Sequence, residues 1–159
     1  MSLPGIAGSA RHNEGMRDSC IFCKIIAGEV HAYHIHEDEL TVTFLDASPI
    51  FAGHCLVCPR EHVDTLLDLP SRLMQPLLQS TQLVAKAVEK GLGAEGSFVA
   101  VNNKVSQSVP HLHVHVIPRR RKDGMKGFFW PRRPYRDEQE ILEIQRALKN
   151  AIESLRNES

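Results

Sequence analysis

The chain has 159 residues, of which 42% are hydrophobic and 24% are charged. That length and composition fit one domain with one sizeable core. Nineteen basic and nineteen acidic side chains give a formal net charge of zero, which excludes a global basic field for non-specific binding of nucleic acid or anionic membranes. Any phosphate site must therefore be built locally.

The N-terminal residues 1–17 are rich in glycine, serine and polar side chains and predict a disordered tail. Residues 18–159 predict a single domain. No basic region precedes the weak apolar patch of the tail, and no apolar run approaches the roughly 20 residues that a bilayer crossing needs. We therefore expect a cytoplasmic protein, in which the four cysteines are thiols or metal ligands rather than disulfides.

Hydrophobic periodicity and turn residues divide the rest of the chain into helices and strands. In chain order they predict a short helix or knuckle over 20–27, strands over 31–36, 40–45 and 53–59, a long helix over 71–91, strands over 98–103 and 111–118, an irregular segment over 119–135, and an amphipathic helix over the last 20 or so residues. Ser71 is the expected cap of the long helix and Gly91 its expected stop. Because strands precede and follow one long helix, the order favours an α+β fold with an antiparallel sheet.

Three histidines, His111, His113 and His115, alternate with leucine and valine. This period predicts a half-buried strand with the three imidazoles on one face, neighbours about 7 Å apart and the outer two about 13 Å apart. Metal–nitrogen bonds of about 2.0–2.1 Å are too short for one ion to bind all three. A row of imidazoles suits a phosphate instead, with one ring attacking phosphorus and a neighbour binding an oxygen. A metal-dependent hydrolase using an H-x-H pair, and solvent-facing histidines without a function, stay open as alternatives.

The segment 111–119, His-Leu-His-Val-His-Val-Ile-Pro-Arg, resembles the signature of the histidine-triad (HIT) family of nucleotide hydrolases and transferases. The resemblance extends, in the same order along the chain, to residues 20–28, 44–46, 53–60 and 107–109. It implies a sheet of about five strands with the long helix packed on it, a C-terminal helix, and a homodimer. Because the last triad position is a histidine and Leu112 follows the first, the resemblance implies a hydrolase rather than a transferase. A nucleotide-binding module without turnover is the remaining alternative.

The resemblance also implies roles for individual residues toward a purine nucleotide. His113 would be the nucleophile that forms a nucleotidyl-histidine intermediate, which water then hydrolyses, and His115 would donate to a phosphate oxygen. The other implied catalytic residues are Ser108, as a ligand of the phosphate or leaving group, and His111. The implied nucleotide-binding residues are Asp46 for the ribose hydroxyls, Asn102 and Gln107 beside the phosphate, and Ile21, Phe22, Ile25 and Phe44 around the base. Those last four are equally suited to an ordinary core.

Cys20 and Cys23 have the chelating spacing of a zinc knuckle. The resemblance implies that they bind a structural zinc ion together with His62 and His111, and that no catalytic metal is required. Two thiolates and two imidazoles suit tetrahedral zinc. A pair of buried thiols without metal is the alternative.

Three other features of the sequence resemble parts of functional sites. Cys55 and Cys58 have the same C-x-x-C spacing but fall in a predicted strand, where residues three apart face opposite sides, so we expect them to be packing residues. For His54, packing in the core and a supporting role at the site are equally expected. The basic run 119–122 is expected to be a solvated face that can steer an anionic substrate.

Overall fold

The computed structural model describes residues 19–125 and 134–157, without the side chains of 152–154 and 156. The predicted disordered tail lies outside the described residues. The chain divides after Arg121 into two compact units, and each is described by itself below. The expectation of a single domain over 18–159 stays a prediction. In the part of the chain that the structure describes, no helix is both long and apolar enough to cross a membrane.

Over its described residues, 19–121, the first unit contains two α-helices of six residues or more, one 3-10 turn and five strands. In chain order these are α1 (Ile21–Ile26), β1 (His34–Glu37), β2 (Thr41–Leu45), β3 (Cys55–Pro59), the 3-10 turn (Leu66–Asp68), α2 (Ser71–Leu92), β4 (Gly96–Ala100) and β5 (Val114–Arg119). All neighbouring strands pair antiparallel, in the order β1-β2-β3-β5-β4. The predicted α+β fold with a five-stranded antiparallel sheet and one long helix is confirmed.

The two faces of the sheet carry separate apolar cores, because successive residues of a strand point to opposite sides. The core beneath α2 includes Leu73, Leu77, Val84, Val88, Cys55, Val57, Val114 and Val116. The core beneath α1 includes Phe22, Ile25, Val42, Phe44, Leu56 and Cys58. Cys55 and Cys58 therefore lie in different cores, which confirms that this second C-x-x-C pair packs the interior and cannot share a metal ion.

The ends of α2 differ from those predicted. Pro70 is the N-cap, and no side chain caps the helix there, because Ser71 is already the first helical residue. The helix also continues past Gly91 to Leu92 and ends at Gly93, whose φ of 61° lies in the left-handed region. A left-handed residue is what turns the chain out of a helix, and glycine adopts it without a steric penalty.

The basic run after β5 secures the end of α2. The guanidinium of Arg120 donates to the main-chain carbonyls of Leu92 and Gly93, at 2.7 Å in each case. A cation at these carbonyls complements both the unpaired acceptors and the negative end of the helix dipole. This part of the run thus has a structural task that the sequence pattern did not indicate.

The second unit contains the predicted C-terminal amphipathic helix, α3 (Glu138–Asn157). Its apolar residues Ile141, Ile144, Leu148 and Leu155 are exposed, from 40% to 63%. They recur at spacings of three, four and seven residues, which places them on one side of a helix.

Candidate functional site

The three triad histidines face the same side, as predicted. The residues that alternate with them, Leu112, Val114 and Val116, lie in the core beneath α2. The rings of His111 and His113 contact Phe22 of α1 on the opposite side. Strand β5 begins only at Val114, so His111 and His113 lie in the segment that leads into it. The ring centroids of His113 and His115 are 4.8 Å apart, rather than about 7 Å, and the two ring planes meet at 70°. The rings of His113 and His115 therefore contact each other directly.

His113 has its ring oriented by the main chain. The ring atom Nδ1 lies 2.7 Å from the carbonyl oxygen of His111, and a carbonyl can only accept, so Nδ1 carries the proton and donates it. In the neutral ring the lone pair is therefore on Nε2. Phe22 of α1 packs edge-on against this imidazole, with ring centroids 5.2 Å apart. His113 is thus a buried imidazole with a defined nucleophilic nitrogen.

His115 contacts a fourth histidine, His54, which lies just before β3. Leu56 is the register partner of His115, so His54, two residues earlier, projects from the same sheet face. Nε2 of His54 lies 2.9 Å from Nδ1 of His115. Burial, together with the nearby His113 and His54 rings, lowers the pKa of His115 to about 4, against an opposing effect of Asp46. At neutral pH the His115 ring is therefore uncharged.

A second cluster of side chains lies beside the segment before β5. It consists of Cys20, Cys23, His62 and His111, whose ligand atoms all lie within 4.8 Å of one another. Nδ1 of His111 is 3.5 Å from Sγ of Cys20 and 3.6 Å from Sγ of Cys23, and Nδ1 of His62 is 3.2 Å from Sγ of Cys23. In tetrahedral zinc with bonds of about 2.3 Å to sulfur and 2.0–2.1 Å to nitrogen, sulfur and nitrogen ligands stand about 3.6 Å apart. The distances match those edges.

The protonation of both cluster histidines also fits a metal ion. Nε2 of His111 donates to the carbonyl of Pro59 at 2.8 Å, and Nε2 of His62 lies 3.0 Å from a carboxylate oxygen of Asp64. Both partners are acceptors, so both Nδ1 lone pairs face the two thiols. Burial lowers the pKa of His111 to about 4, which keeps that lone pair available at neutral pH. The four residues predicted as zinc ligands therefore fit the ion in distance, geometry and tautomer.

Asp46, His54 and His115 form another group whose ligand atoms lie within 4.8 Å of one another. It is a poor metal site. The two rings share the 2.9 Å hydrogen bond, so a proton occupies the space between the nitrogens that an ion would need. The main-chain N–H of Ile50 points at the other nitrogen of His54, at 3.2 Å. The geometry therefore favours a hydrogen-bonded relay over a cation.

The loop before the triad is held by its own polar groups. The side-chain amide of Gln107 donates to the carbonyl of Asp64 at 2.6 Å and accepts from the N–H of Lys104 at 2.9 Å. The side chain of Asn103 accepts from the N–H of Leu66 at 2.9 Å. Lys104 and Ser106 have φ of 67° and 61°, in the region where an L-residue is strained.

The predicted ligands in this loop have different positions. Gln107 uses its amide to brace the loop, Asn102 is half-buried, and Ser108 is exposed. Ser106 adopts a left-handed conformation that glycine ordinarily favours. The binding roles of Asn102, Gln107 and Ser108 stay predictions.

The residues predicted to surround the base divide into two kinds. Phe22, Ile25 and Phe44 are buried in the core beneath α1, whereas Ile21 is 41% exposed. The Phe22 and Phe44 rings meet edge to face at 5.2 Å. Asp46, the predicted ribose ligand, follows β2 and lies half-buried, accepting from the N–H of Ser48 at 2.8 Å. The side of the triad that faces α1 is therefore apolar, with one carboxylate nearby.

Sequence reasoning left His54 open between packing and a supporting role, and the structure places it beside the triad. His54 is 2% exposed and contacts both His115 and the loop after Asp46. Its signal was present, because a histidine just before a strand that pairs with the triad strand projects toward the triad. The pairing of β3 with β5 was not known from the sequence, so that signal could not be used.

A protein-family model described as the HIT domain matches residues 27–122. Adenosine 5'-monophosphoramidase hnt1 of Schizosaccharomyces pombe is 35% identical over 123 residues, which cover 76% of this chain and 90% of that protein. Adenylylsulfatase HINT3 of Arabidopsis thaliana is 33% identical over 110 residues, 68% of this chain, and the match spans 56% of that longer protein. A solved structure, a Zn-bound histidine triad family protein from Mycobacterium smegmatis, aligns with a TM-score of 0.65 and 34% identity, covering 90% of this chain and 99% of that one.

Proposed function

Since this chain belongs to the HIT family of nucleotide-binding hydrolases, we propose that it cleaves a phosphoanhydride or phosphoramidate bond at the α-phosphorus of a purine nucleotide. The reaction passes through a nucleotidyl-histidine intermediate on His113. The observation that carries the proposal is the hydrogen bond from Nδ1 of His113 to the carbonyl of His111. It leaves a lone pair on Nε2 of a ring that also contacts His115.

The chemistry has two steps. In the first, the Nε2 lone pair of His113 forms a bond to the α-phosphorus, and the bond to the leaving group breaks with its electron pair on the leaving atom. In the second, water attacks phosphorus and the P–N bond breaks, which returns His113 and releases a nucleoside monophosphate. The fixed Nδ1 hydrogen bond stabilises the positive charge that the ring acquires in the intermediate, because a carbonyl oxygen faces it.

Adenylyl compounds are the substrate class that the named relatives favour. The fission yeast relative is named for a monophosphoramidase activity and the plant relative for an adenylylsulfatase activity. The two names share adenosine 5'-phosphate and differ in the leaving group. Asp46 and the apolar side of the triad formed by Phe22 are suited to the ribose and the base.

Zinc is part of the proposal as a structural ion held by Cys20, Cys23, His62 and His111. When bound, it supplies a cross-link between α1 and the segment before β5. His111 contributes its ring to this cluster and its carbonyl to His113, so the cluster orients the nucleophile through one residue. None of the four cysteines forms a disulfide, which is consistent with a cytoplasmic location.

A homodimer is the assembly we propose. Strand β4 is an edge of the sheet, and Val99 on it is 46% exposed beside Met74 and Leu78 of α2, which are 50% and 70% exposed. An antiparallel edge strand can pair with a second copy across a two-fold axis and bury such a patch. Val99→Lys is expected to give a monomer by light scattering, whereas Leu148→Lys on α3 leaves the dimer intact. A monomeric wild type, or a monomer only with the α3 variant, would refute this interface.

The deciding experiment measures AMP release from an adenosine phosphoramidate and from diadenosine polyphosphates. Wild type is compared with His113→Ala and with His31→Ala, which removes an exposed histidine. We expect turnover by the wild type and by the His31 variant, none by His113→Ala, and retained AMP binding in all three. Rapid acid quench followed by mass spectrometry of the wild type should show AMP bound to His113.

Three results would separate the alternatives. Turnover that persists in His113→Ala and stops with a chelator, while the fold stays intact, indicates a metal-dependent hydrolase. AMP binding by well-folded wild type with no turnover on any substrate indicates a binding module. Loss of turnover in the mutant alone establishes histidine nucleophilic catalysis, and the preferred substrate identifies the leaving group.

A further inference from the structure

We propose that His54 is a positioning residue that holds His115 in a single neutral tautomer, with its proton on Nε2. His115 then serves as a fixed donor to a non-bridging phosphate oxygen, and it does not supply the proton of the leaving group. This inference rests on the proposed function for its substrate. It assigns a role to a buried histidine outside the triad, and it excludes His115 as the acid that protonates the leaving group.

The first step is the tautomer of His54. The main-chain N–H of Ile50 points at Nδ1 of His54 at 3.2 Å. An amide N–H can only donate, so Nδ1 holds a lone pair and the ring proton is on Nε2. The nearest carboxylate oxygen of Asp46 lies 3.6 Å from Nδ1, beyond hydrogen-bond distance. Burial lowers the pKa of His54, against the opposing effect of Asp46, so the ring is neutral.

The second step derives the tautomer of His115 from that of His54. Nε2 of His54 carries a proton and lies 2.9 Å from Nδ1 of His115. Nδ1 of His115 must therefore accept, which leaves the proton of this neutral ring on Nε2. One backbone amide thus determines the tautomers of two successive rings.

The third step concerns Nε2 of His115, the ring nitrogen that does not face His54. Nε2 of His115 is buried and has no hydrogen-bond partner in the described part of the chain. A buried donor without an acceptor costs about 1–3 kcal/mol, which an incoming acceptor recovers. The ring contacts His113, so an oxygen of a phosphate attacked by His113 can reach this N–H. The unpaired donor therefore fits a phosphate oxygen.

The fourth step excludes the acid role. If His115 gave its Nε2 proton to the leaving group, its Nδ1 would have to be reprotonated by His54. His54 would then need a proton at Nδ1, where the one donor among the described residues is the amide of Ile50, which does not release its proton. The relay would end in an imidazolate anion. The leaving group therefore takes its proton from water, while the N–H of His115 stays in place throughout.

NMR of ¹⁵N-labelled histidines tests the tautomers without any turnover. In wild-type protein we expect His115 and His54 both to show a protonated Nε2 and an unprotonated Nδ1. His54→Gln retains an N–H donor toward His115 and should keep the His115 pattern. His54→Phe removes the donor, and a second tautomer of His115 should appear while the thermal unfolding profile stays cooperative.

Kinetics test the role of the donor. His54→Phe should lower kcat about tenfold or more, the size typical of groups that orient a ring, with little change in KM, and His54→Gln should restore most of it. A series of adenosine 5'-phosphate derivatives with leaving groups of increasing basicity then compares wild type with His115→Gln, which retains a donor without acidity. The deficit of this variant should be the same for every leaving group.

The outcomes are distinguishable. A proton on Nδ1 of His115, or a His115→Gln deficit that grows with leaving-group basicity, overturns this inference while wild-type turnover leaves the proposed function standing. Equal loss in His54→Gln and His54→Phe also overturns it, because a purely structural role predicts that pattern. Absence of turnover in well-folded wild type, with no adduct on His113, overturns both proposals.

Discussion

The lowered pKa of His115 has a measurable cost in stability at acid pH. The pKa is about 4 in the folded chain, against 6.5 for an ordinary histidine. Between these values the unfolded chain binds a proton that the folded chain does not, so the free energy of unfolding falls as the pH falls from 6.5 toward 4. Linkage gives a loss of about 2 kcal/mol on going from pH 7.5 to pH 5, rising to about 3 kcal/mol below pH 4.

The perturbation is His115→Gln, which removes the titrating group and keeps a hydrogen-bonding side chain. Urea unfolding of wild type and variant at pH 7.5 and pH 5 yields the two losses. The wild type should lose about 2 kcal/mol more than the variant. Acid-induced loss of zinc affects both proteins and cancels in the difference. His31→Gln, which removes an exposed imidazole, should behave like wild type. Equal losses in wild type and His115→Gln would refute the argument that burial keeps this ring neutral.

Three further predictions follow from individual contacts. Elemental analysis of wild type is expected to find one zinc ion per chain; Cys20→Ser should abolish it, whereas Cys55→Ser, from the pair with the same spacing, should retain it. Phe22→Ala, at a site 7% exposed, should lower the unfolding free energy by about 3–5 kcal/mol, measured by denaturant unfolding; a change below about 1 kcal/mol would contradict its place in the core. Arg120→Ala should cost about 1 kcal/mol by the same assay, and Arg121→Ala, whose side chain is 90% exposed, no more than a few tenths; equal costs would show that the helix-end contacts contribute nothing.

The sequence predicted most of the fold because apolar periodicity carries it. The i, i+3, i+4 pattern located α2, and strand alternation assigned Cys55 and Cys58 to opposite faces. The element ends were less accurate, because tertiary contacts decide them. Gly91 is of the residue type that commonly ends a helix, but the left-handed residue that ends α2 is Gly93.

Alternation placed His111 on the same face as His113 and His115, and the structure agrees. Alternation could not indicate which groups the ring of His111 would contact. In the structure its ring turns to the carbonyl of Pro59 and to two cysteine thiols. Those partners are 52 to 91 residues away in the chain, and local periodicity holds no information about them. The role of His54 was left open for the same reason.

The hydrogen bonds that fix the ring protons of the site end largely on the backbone. His113 faces the carbonyl of His111, His111 faces the carbonyl of Pro59, and His54 faces the N–H of Ile50. Replacing the side chain at position 111 or 59 leaves each carbonyl in place, so alanine scanning will pass over these contacts. Only a change in the path of the chain removes them, and among the three backbone partners only Ile50 can lose its group by substitution, because proline lacks the N–H. Side-chain substitutions at the backbone partners therefore largely preserve these hydrogen bonds, whereas insertions and deletions in the loops would remove them.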